Sequence, residues 1–566
     1  MLTGIGASAG IGIGRVLLLR EETLTFEPRT VSDREAELAR WRAALEAFCD
    51  QTATQAAALR ARVGEQDAAI LEGHILMIRD PYMTGEIERR ITEDAACAEA
   101  ALTEVCDQFA AIFAATDDEL TRQRTADVAD IKTGLLRQLL GVTETDLSAI
   151  PSDTVVVTRE LTPSVTARLD TTHVAAFVTE TGGKTAHAAI LARSLEIPAV
   201  LGVPDAIERL RDGDTVIVDG GTGTVLEQPS PEQLADYQAR RQTMLEERRA
   251  LRQYIGRPTE TADGHRVELV ANIGTPEEAA RVIEADGEGI GLFRTEFLFM
   301  DRTALPTEEE QFAAYRQAAL TLKGQPLIIR TLDIGGDKAL PYLGMQPEEN
   351  PFLGHRAVRF CLDRPDIFRP QLRALLRAAV FGDIRMMVPL VTCVEELTAV
   401  RALLAEEADA LGKSGIPCKP DLPVGVMIET PAAAAIADLL AAEADFFSIG
   451  TNDLIQYVMA VDRGNPQVAG LYSPFQPAVL RAIRHVVECG RRAGIPVGMC
   501  GEAAADPLLI PLLLAFGLTE FSVNPASLLA TRREIARWTL PEAQQLAADA
   551  MQQTTGEAVR RLLGQS

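Results

Sequence analysis

The sequence predicts a multidomain α/β protein whose C-terminal half is a parallel (β/α)8 TIM barrel. Three observations carry that expectation. From Arg266 onward, short apolar runs alternate with helix-length segments at 268–272, 289–293, 327–331, 385–389, 424–428, 446–449, 496–500 and 520–523. Eight such runs over roughly 300 residues suit a closed barrel. Ahead of them lies a compact β/α region, with strand candidates at 12–20, 154–158, 175–179, 199–202 and 215–218 and a helix near 185–195. Between the first two of those strands, residues 31–143 hold one proline, Pro81, and few β-branched runs.

Each part has its own signature. In the helical stretch, Leu38, Trp41, Leu45 and Phe48 recur at spacings of three and four and define one helix face. Ser32 and Glu35 read as a capping box at its start. Several antiparallel helices fit this stretch, and it reads as an insertion into the β/α region. Residues 229–258 are charged on all sides and read as a linker helix. The predicted organisation is thus 1–30 with 144–228, the insertion 31–143, the linker 229–258 and the barrel 259–566.

Composition narrows the function classes. The chain has 566 residues, 47% hydrophobic and 24% charged, as soluble globular proteins do. Its net charge is 55 − 81 = −26. A field of that sign repels phosphate backbones and anionic membranes, so neither nucleic acid nor membrane is expected as a partner. The eight cysteines form no CxxC pair, and the start MLTGIGASAG lacks a charged n-region. The longest apolar run, 507–518, is too short to span a bilayer. A cytoplasmic location is expected.

In a parallel barrel, reactive groups sit at the C-terminal strand ends. Those ends supply Arg294, Arg330 with Asp333 and Lys338, Glu429, Asn452 with Asp453, and Cys500 with Glu502; Arg356 and Arg463 lie in nearby loops. Planar guanidinium forks suit phosphate or carboxylate oxygens. Glu429 and Asp453 are hard oxygen ligands, and two carboxylates completed by substrate oxygens and waters suit magnesium (Mg2+). The expected ligand is a small phosphorylated acid held by a metal. Cys500 reads either as an inert apolar residue or as a proton donor over the anion site. His187 follows a glycine pair at a helix start and reads either as a capping residue or as a nucleophile that carries a phosphoryl group.

The segment GGKTAHAAILARSLEIPAVLG resembles the phosphohistidine domain shared by enzyme I of sugar phosphotransferase systems and the pyruvate-utilising dikinases. GIGLFRTEFLFMDR, RTLDIGGDK, NPFLGHRAVR, IETPAA, FSIGTNDLIQY, AVDRGN and GMCGEAA resemble, in order, that family's phosphoenolpyruvate barrel. The N-terminal region is helical and lacks a glycine-rich nucleotide loop, which is similar to enzyme I and unlike a dikinase. With no sensory domain ahead of Met1, the likeness is to the sugar branch.

The resemblance implies a swivelling phosphohistidine domain and an inserted helical domain that binds the carrier protein HPr, through parts of 65–80 and 117–131. It implies His187 as the phosphorylated residue, oriented by Thr166, and Cys500 as the acid that protonates enolpyruvate. Arg294, Arg330, Arg463 and Asn452 would grip phosphoenolpyruvate, helped by Lys338 and Arg356, while Glu429 and Asp453 hold Mg2+. A homodimer through the barrel and a hinge near 229–258 are implied as well. His355 departs from the family pattern, which carries tryptophan there.

Overall fold

A computed structural model of the chain describes residues 1–566 apart from 21–23, 63–64, 117–118, 143–146, 148, 184–186, 301, 303, 336–339, 346–347, 466 and 565–566. For 61–62, 65–67, 69, 119–123, 126, 163, 187, 190, 194 and 341 it describes the backbone alone. The chain divides into two compact units, Met1–Arg248 and Arg249–Ser566.

The first unit is built on an eight-stranded sheet. Its strands are β1 (Leu2–Thr3), β2 (Ile5–Ser8), β3 (Ile11–Leu19), β4 (Thr154–Thr158), β5 (Val174–Thr179), β6 (Ala199–Leu201), β7 (Thr215–Asp219) and β8 (Thr224–Glu227). They lie in the order β1-β8-β7-β3-β4-β5-β6-β2, with β3 to β6 parallel. Every residue of β4, TVVVT, is buried, as expected of a central parallel strand covered on both faces. Glycines in β3 let neighbouring backbone close in, since a Cβ on Gly14 would lie 1.9 Å from the Asp153 carbonyl oxygen. The strands β1, β2 and β8, of two, four and four residues, are not among those expected from the sequence.

Strands β3 and β4 pair in register from Arg15↔Thr154 to Leu19↔Thr158, although five helices separate them in sequence. These are α1 (Arg34–Arg62), α2 (Glu65–Ile78), α3 (Pro81–Thr92), α4 (Ala98–Ala114) and α5 (Glu119–Leu140). The helical stretch is therefore an insertion between paired strands. Trp41, Leu45 and Phe48 share a buried cluster with Ile87, Leu102 and Ile131, and Leu38 packs against it. Pro81 opens α3 behind the Asp80 cap, where a missing N–H costs nothing. The capping box expected at Ser32 and Glu35 is not what starts α1. Asp33 does so, its carboxylate accepting from the Ala36 N–H at 2.9 Å. An ionised side chain one residue nearer the helix meets the free N–H groups better than the Ser32 hydroxyl.

Short helices α6 (Pro163–Arg168), α7 (His187–Ser194) and α8 (Ala206–Arg209) complete this unit. The long helix α9 (Pro231–Leu251) follows and buries no residue, in keeping with its all-round polar sequence.

The second unit is a closed, wholly parallel eight-stranded barrel. Its strands are β9 (Glu268–Ile273), β10 (Ile290–Arg294), β11 (Leu327–Arg330), β12 (Ile384–Val388), β13 (Val424–Ile428), β14 (Phe447–Ile449), β15 (Val497–Met499) and β16 (Glu520–Val523). Each lies within a residue or so of its expected position. The barrel interior is filled by Leu292, Ile328, Met387, Met427, Phe446 and Cys500. Among the described residues, no helix is long and apolar enough to cross a membrane, and the eight cysteines are free.

Candidate functional site

The barrel's strand ends bring the expected polar residues together. Arg294 and Arg330 are the last residues of β10 and β11. Glu429 follows β13, Asn452 and Asp453 lie in the first turn of the helix after β14, and Cys500 follows β15. All of these, with Arg356 and Arg463, line one cavity of about 430 Å³ at the barrel mouth. Close packing fixes two of the loops. A Cβ on Gly450 would fall 2.7 Å from Glu429 Oε2, and one on Gly501 would fall 1.7 Å from Thr451 Oγ1.

The two buried arginines are already partnered. Arg330 meets Glu296 at 2.6 Å and Asp333 at 3.1 Å. Arg356 donates to both oxygens of Asp333, at 2.8 and 3.1 Å, and to Asp453 at 3.4 Å. It also donates to the Tyr457 hydroxyl at 3.3 Å, which in turn donates to the Phe352 carbonyl. Burial opposes both charges, but the surrounding carboxylates outweigh it and hold both guanidiniums above their usual range. These pairs fix the forks in place and keep them charged. The other two arginines are less committed. Arg294 Nε is buried with no hydrogen-bond partner among the described residues. Arg463, one-third exposed, approaches Asp453 Oδ1 at 3.6 Å.

The carboxylates set the opposite field. Glu429 is 2% exposed and accepts from the Leu390 N–H at 2.7 Å. Burial pushes its carboxyl up, and the nearby Asp453 and Asp333 push it further, while Arg330 and Arg356 pull it back in part. Asp453 Oδ1 is buried without a hydrogen-bond donor among the described residues. Two carboxylates lining one cavity, one with an oxygen that accepts no hydrogen bond among the described residues, fit a divalent cation. Among the described residues no set of three His, Cys, Asp or Glu side chains could hold a metal. Further ligands would therefore come from substrate and water, which suits magnesium.

Cys500 is 6% exposed, and burial pushes its thiol up to about 11, against the lowering effect of the Ser448 hydroxyl beside it. It therefore stays protonated at neutral pH. Asn272 fixes its backbone by donating to the Cys500 carbonyl at 3.0 Å. Asn452 accepts from the Glu502 N–H at 3.2 Å.

The remaining expectations fall elsewhere. Lys338 lies outside the described residues. His187 belongs to the first unit, where its backbone begins α7; its side chain is outside those described. Thr166 is fully buried and donates its hydroxyl to the Thr162 carbonyl at 3.0 Å, within its own helix. His355 stands away from the mouth chemistry, half exposed, 3.5 Å from Asp363 and edge-on to Phe360. Sequence reading missed Glu296, Tyr457 and Asn272. The first has a local signal, since it stands two residues beyond Arg294 in RTEF. The other two become site residues only through packing.

Comparison with known proteins adds to this geometry. The model of the PEP-binding domain of PEP-utilising enzymes matches residues 248–540. The N-terminal and mobile-domain models of the same family match 3–124 and 150–223. The chain belongs to the PEP-utilising enzyme family. Within that family it is similar to the phosphoenolpyruvate-protein phosphotransferase of Staphylococcus carnosus (strain TM300), 46% identical over 99% of this chain and 97% of the relative. The protein of that name from Geobacillus stearothermophilus is 46% identical over 98% and 96%. A solved enzyme I protein, nEIt, covers 43% of this chain and 99% of its own, at 34% identity and a TM-score of 0.39. This PEP-utilising enzyme is accordingly a transferase of the phosphoenolpyruvate-protein phosphotransferase kind.

Proposed function

We propose that the enzyme transfers the phosphoryl group of phosphoenolpyruvate to its own His187, releasing pyruvate, and then to a histidine of the carrier protein HPr. This is the first step of sugar uptake by a phosphotransferase system. The observation that carries the reading is the convergence of Arg294, Arg330, Arg356, Glu429, Asp453 and Cys500 on one cavity. Full-length relatives named as phosphoenolpyruvate-protein phosphotransferases support it.

The chemistry follows from the charges in place. The substrate carries a phosphate and a carboxylate. Arg294 and Arg463 retain donor capacity for them, with Asn452 as a neutral donor and Lys338 as a further cation. Arg330 and Arg356, fixed by Asp333 and Glu296, present pre-oriented positive charge where the phosphoryl group loses its bridging bond. Glu429 and Asp453 would hold Mg2+, which supplies charge neutralisation on the phosphoryl oxygens. Cys500, protonated at neutral pH, donates its proton to the methylene carbon of enolpyruvate, and the resulting ketone draws the transfer forward. In-line attack on phosphorus falls to the neutral imidazole of His187.

In this reading residues 1–30 and 144–228 carry the phosphohistidine, 31–143 receive HPr, 229–258 link, and 259–566 bind phosphoenolpyruvate. The enzyme works in the cytoplasm as a homodimer through its barrel. Incubation with ³²P-phosphoenolpyruvate and magnesium tests the core of it. Label should enter the chain and move to added HPr. An unlabelled chain would refute the proposal.

A further inference from the structure

The barrel interior has a second end. At the N-terminal ends of the strands lies a cavity of about 620 Å³, walled by Pro326, Ile328, Phe446 and Pro496 and edged by Arg385 and Glu520. Glu520 opens β16 and is 6% exposed, and its Oε1 has no hydrogen-bond partner among the described residues. Strand register places Ser448, Gly498 and Glu520 side by side across β14, β15 and β16. Gly498 contributes no side chain, and the Glu520 carboxyl leans over it: a Cβ there would fall 2.6 Å from Oε1. On the other side of that glycine, the Ser448 hydroxyl is also buried, with the Cys500 thiol beside it and no hydrogen bond of good geometry among the described residues.

Buried oxygens on either side of one glycine are costly unless something bridges them. Cys500 stands two residues beyond Gly498, and so on the same face of the barrel wall. Its thiol lies beside the Ser448 hydroxyl and lines the mouth cavity. The three groups thus run from floor to mouth through an otherwise apolar interior. The charged groups around Glu520 are its register partner Glu268 and Arg385, with Arg266 and Glu288 further along the cavity wall.

We propose that Glu520 and Ser448 form a proton relay that reloads the Cys500 thiol from the barrel floor after it has protonated enolpyruvate. The inference rests on the acid role of Cys500 given above. The step begins with a thiolate. A Glu520 carboxylic acid gives its proton to a water over Gly498. That water passes a proton to Ser448 Oγ, and the original Ser448 hydroxyl proton moves to Cys500 Sγ. The Glu520 carboxylate then takes a proton from solvent in the floor cavity. Only O–H and S–H bonds form and break, and nothing is oxidised. The relay groups touch no substrate and act through the thiol.

The test uses the full chain with phosphoenolpyruvate, magnesium and ¹⁴C-pyruvate in D2O. In carbon exchange the incoming labelled pyruvate gives a methyl proton to the Cys500 thiolate in the back reaction, so no reloading is needed. Deuterium entry at the methyl carbon does need it. In the parent chain, deuterium should enter alongside carbon exchange. In Glu520→Gln and Ser448→Ala, on separate strands, carbon exchange should continue while deuterium per exchange falls at least about tenfold. Glu520→Asp should restore part of it. An unchanged deuterium ratio in both variants would overturn the relay and assign reloading to the mouth. A parent chain without carbon exchange would instead remove the phosphotransfer reading on which the relay stands.

Discussion

A thiol pushed up to about 11 is a poor nucleophile at neutral pH but remains loaded as an acid. That separates two uses of cysteine which composition cannot distinguish. Cys500→Ser should lower pyruvate formation by at least about a hundredfold and leave phosphoenolpyruvate binding within about twofold. Rapid-quench kinetics beside equilibrium dialysis would show it, and undiminished turnover would exclude the thiol from the acid role. His187→Ala should abolish ³²P labelling of the chain while phosphoenolpyruvate still binds. The signal for both residues was local, in GMCGE and GGKTAH. The engagement of Arg330 and Arg356 with Glu296 and Asp333 was not. Which partner an arginine finds depends on residues brought near by folding, as Arg356 and Asp453, 97 positions apart, illustrate.

At the scale of elements, the strand ends and the glycines between them hold the site. Gly450→Ala would press a methyl group against Glu429 Oε2, now 2.7 Å from the ideal Cβ position. The magnesium concentration needed for half-maximal labelling should rise at least about tenfold, with the barrel still folded by circular dichroism. The floor of the same barrel gives a pH signature. Burial pushes Glu520 up to about 7, with Glu268 adding to the rise and Arg385 opposing it. The folded chain thus keeps a proton that the unfolded chain has released. The associated stability is fully present below about 4.5 and is lost as pH rises through about 7. Glu520→Gln removes that loss. Relative to the parent, the variant should gain stability between pH 5 and pH 8, by up to about 3 kcal/mol. Urea unfolding followed by Trp538 fluorescence, in a Trp41→Phe background, would report it for the barrel. An unchanged difference between the two pH values would show that Glu520 titrates normally.

At the scale of the molecule, each unit owns its core. The barrel's apolar cluster is drawn from 267–563, and the clusters of the sheet and the inserted helices come from the first unit. A chain of this kind should unfold in separate steps. Calorimetry should resolve two transitions, and a fragment of 249–566 should reproduce one of them and still bind phosphoenolpyruvate with magnesium. A single transition that the fragment does not reproduce would contradict the division. Within the first unit, Trp41→Ala should cost the helical insertion about 3–5 kcal/mol, because the ring is wholly buried among helices of one cluster.

What the sequence determined by itself was whatever repeats or clusters locally. The eight barrel strands, the insertion between β3 and β4 and the motif residues at strand ends were legible because period, length and strand-end position are properties of short segments. The short strands β1, β2 and β8 were not, since what makes them strands is antiparallel pairing rather than any local pattern. Nor was the start of α1, where Asp33 takes the cap expected of Ser32. Only the tertiary structure decided which charges neutralise each other, and that the buried oxygens of Glu520 and Ser448 flank one glycine. Closing a barrel sets the register between strands far apart in sequence, and register fixes which side chains meet.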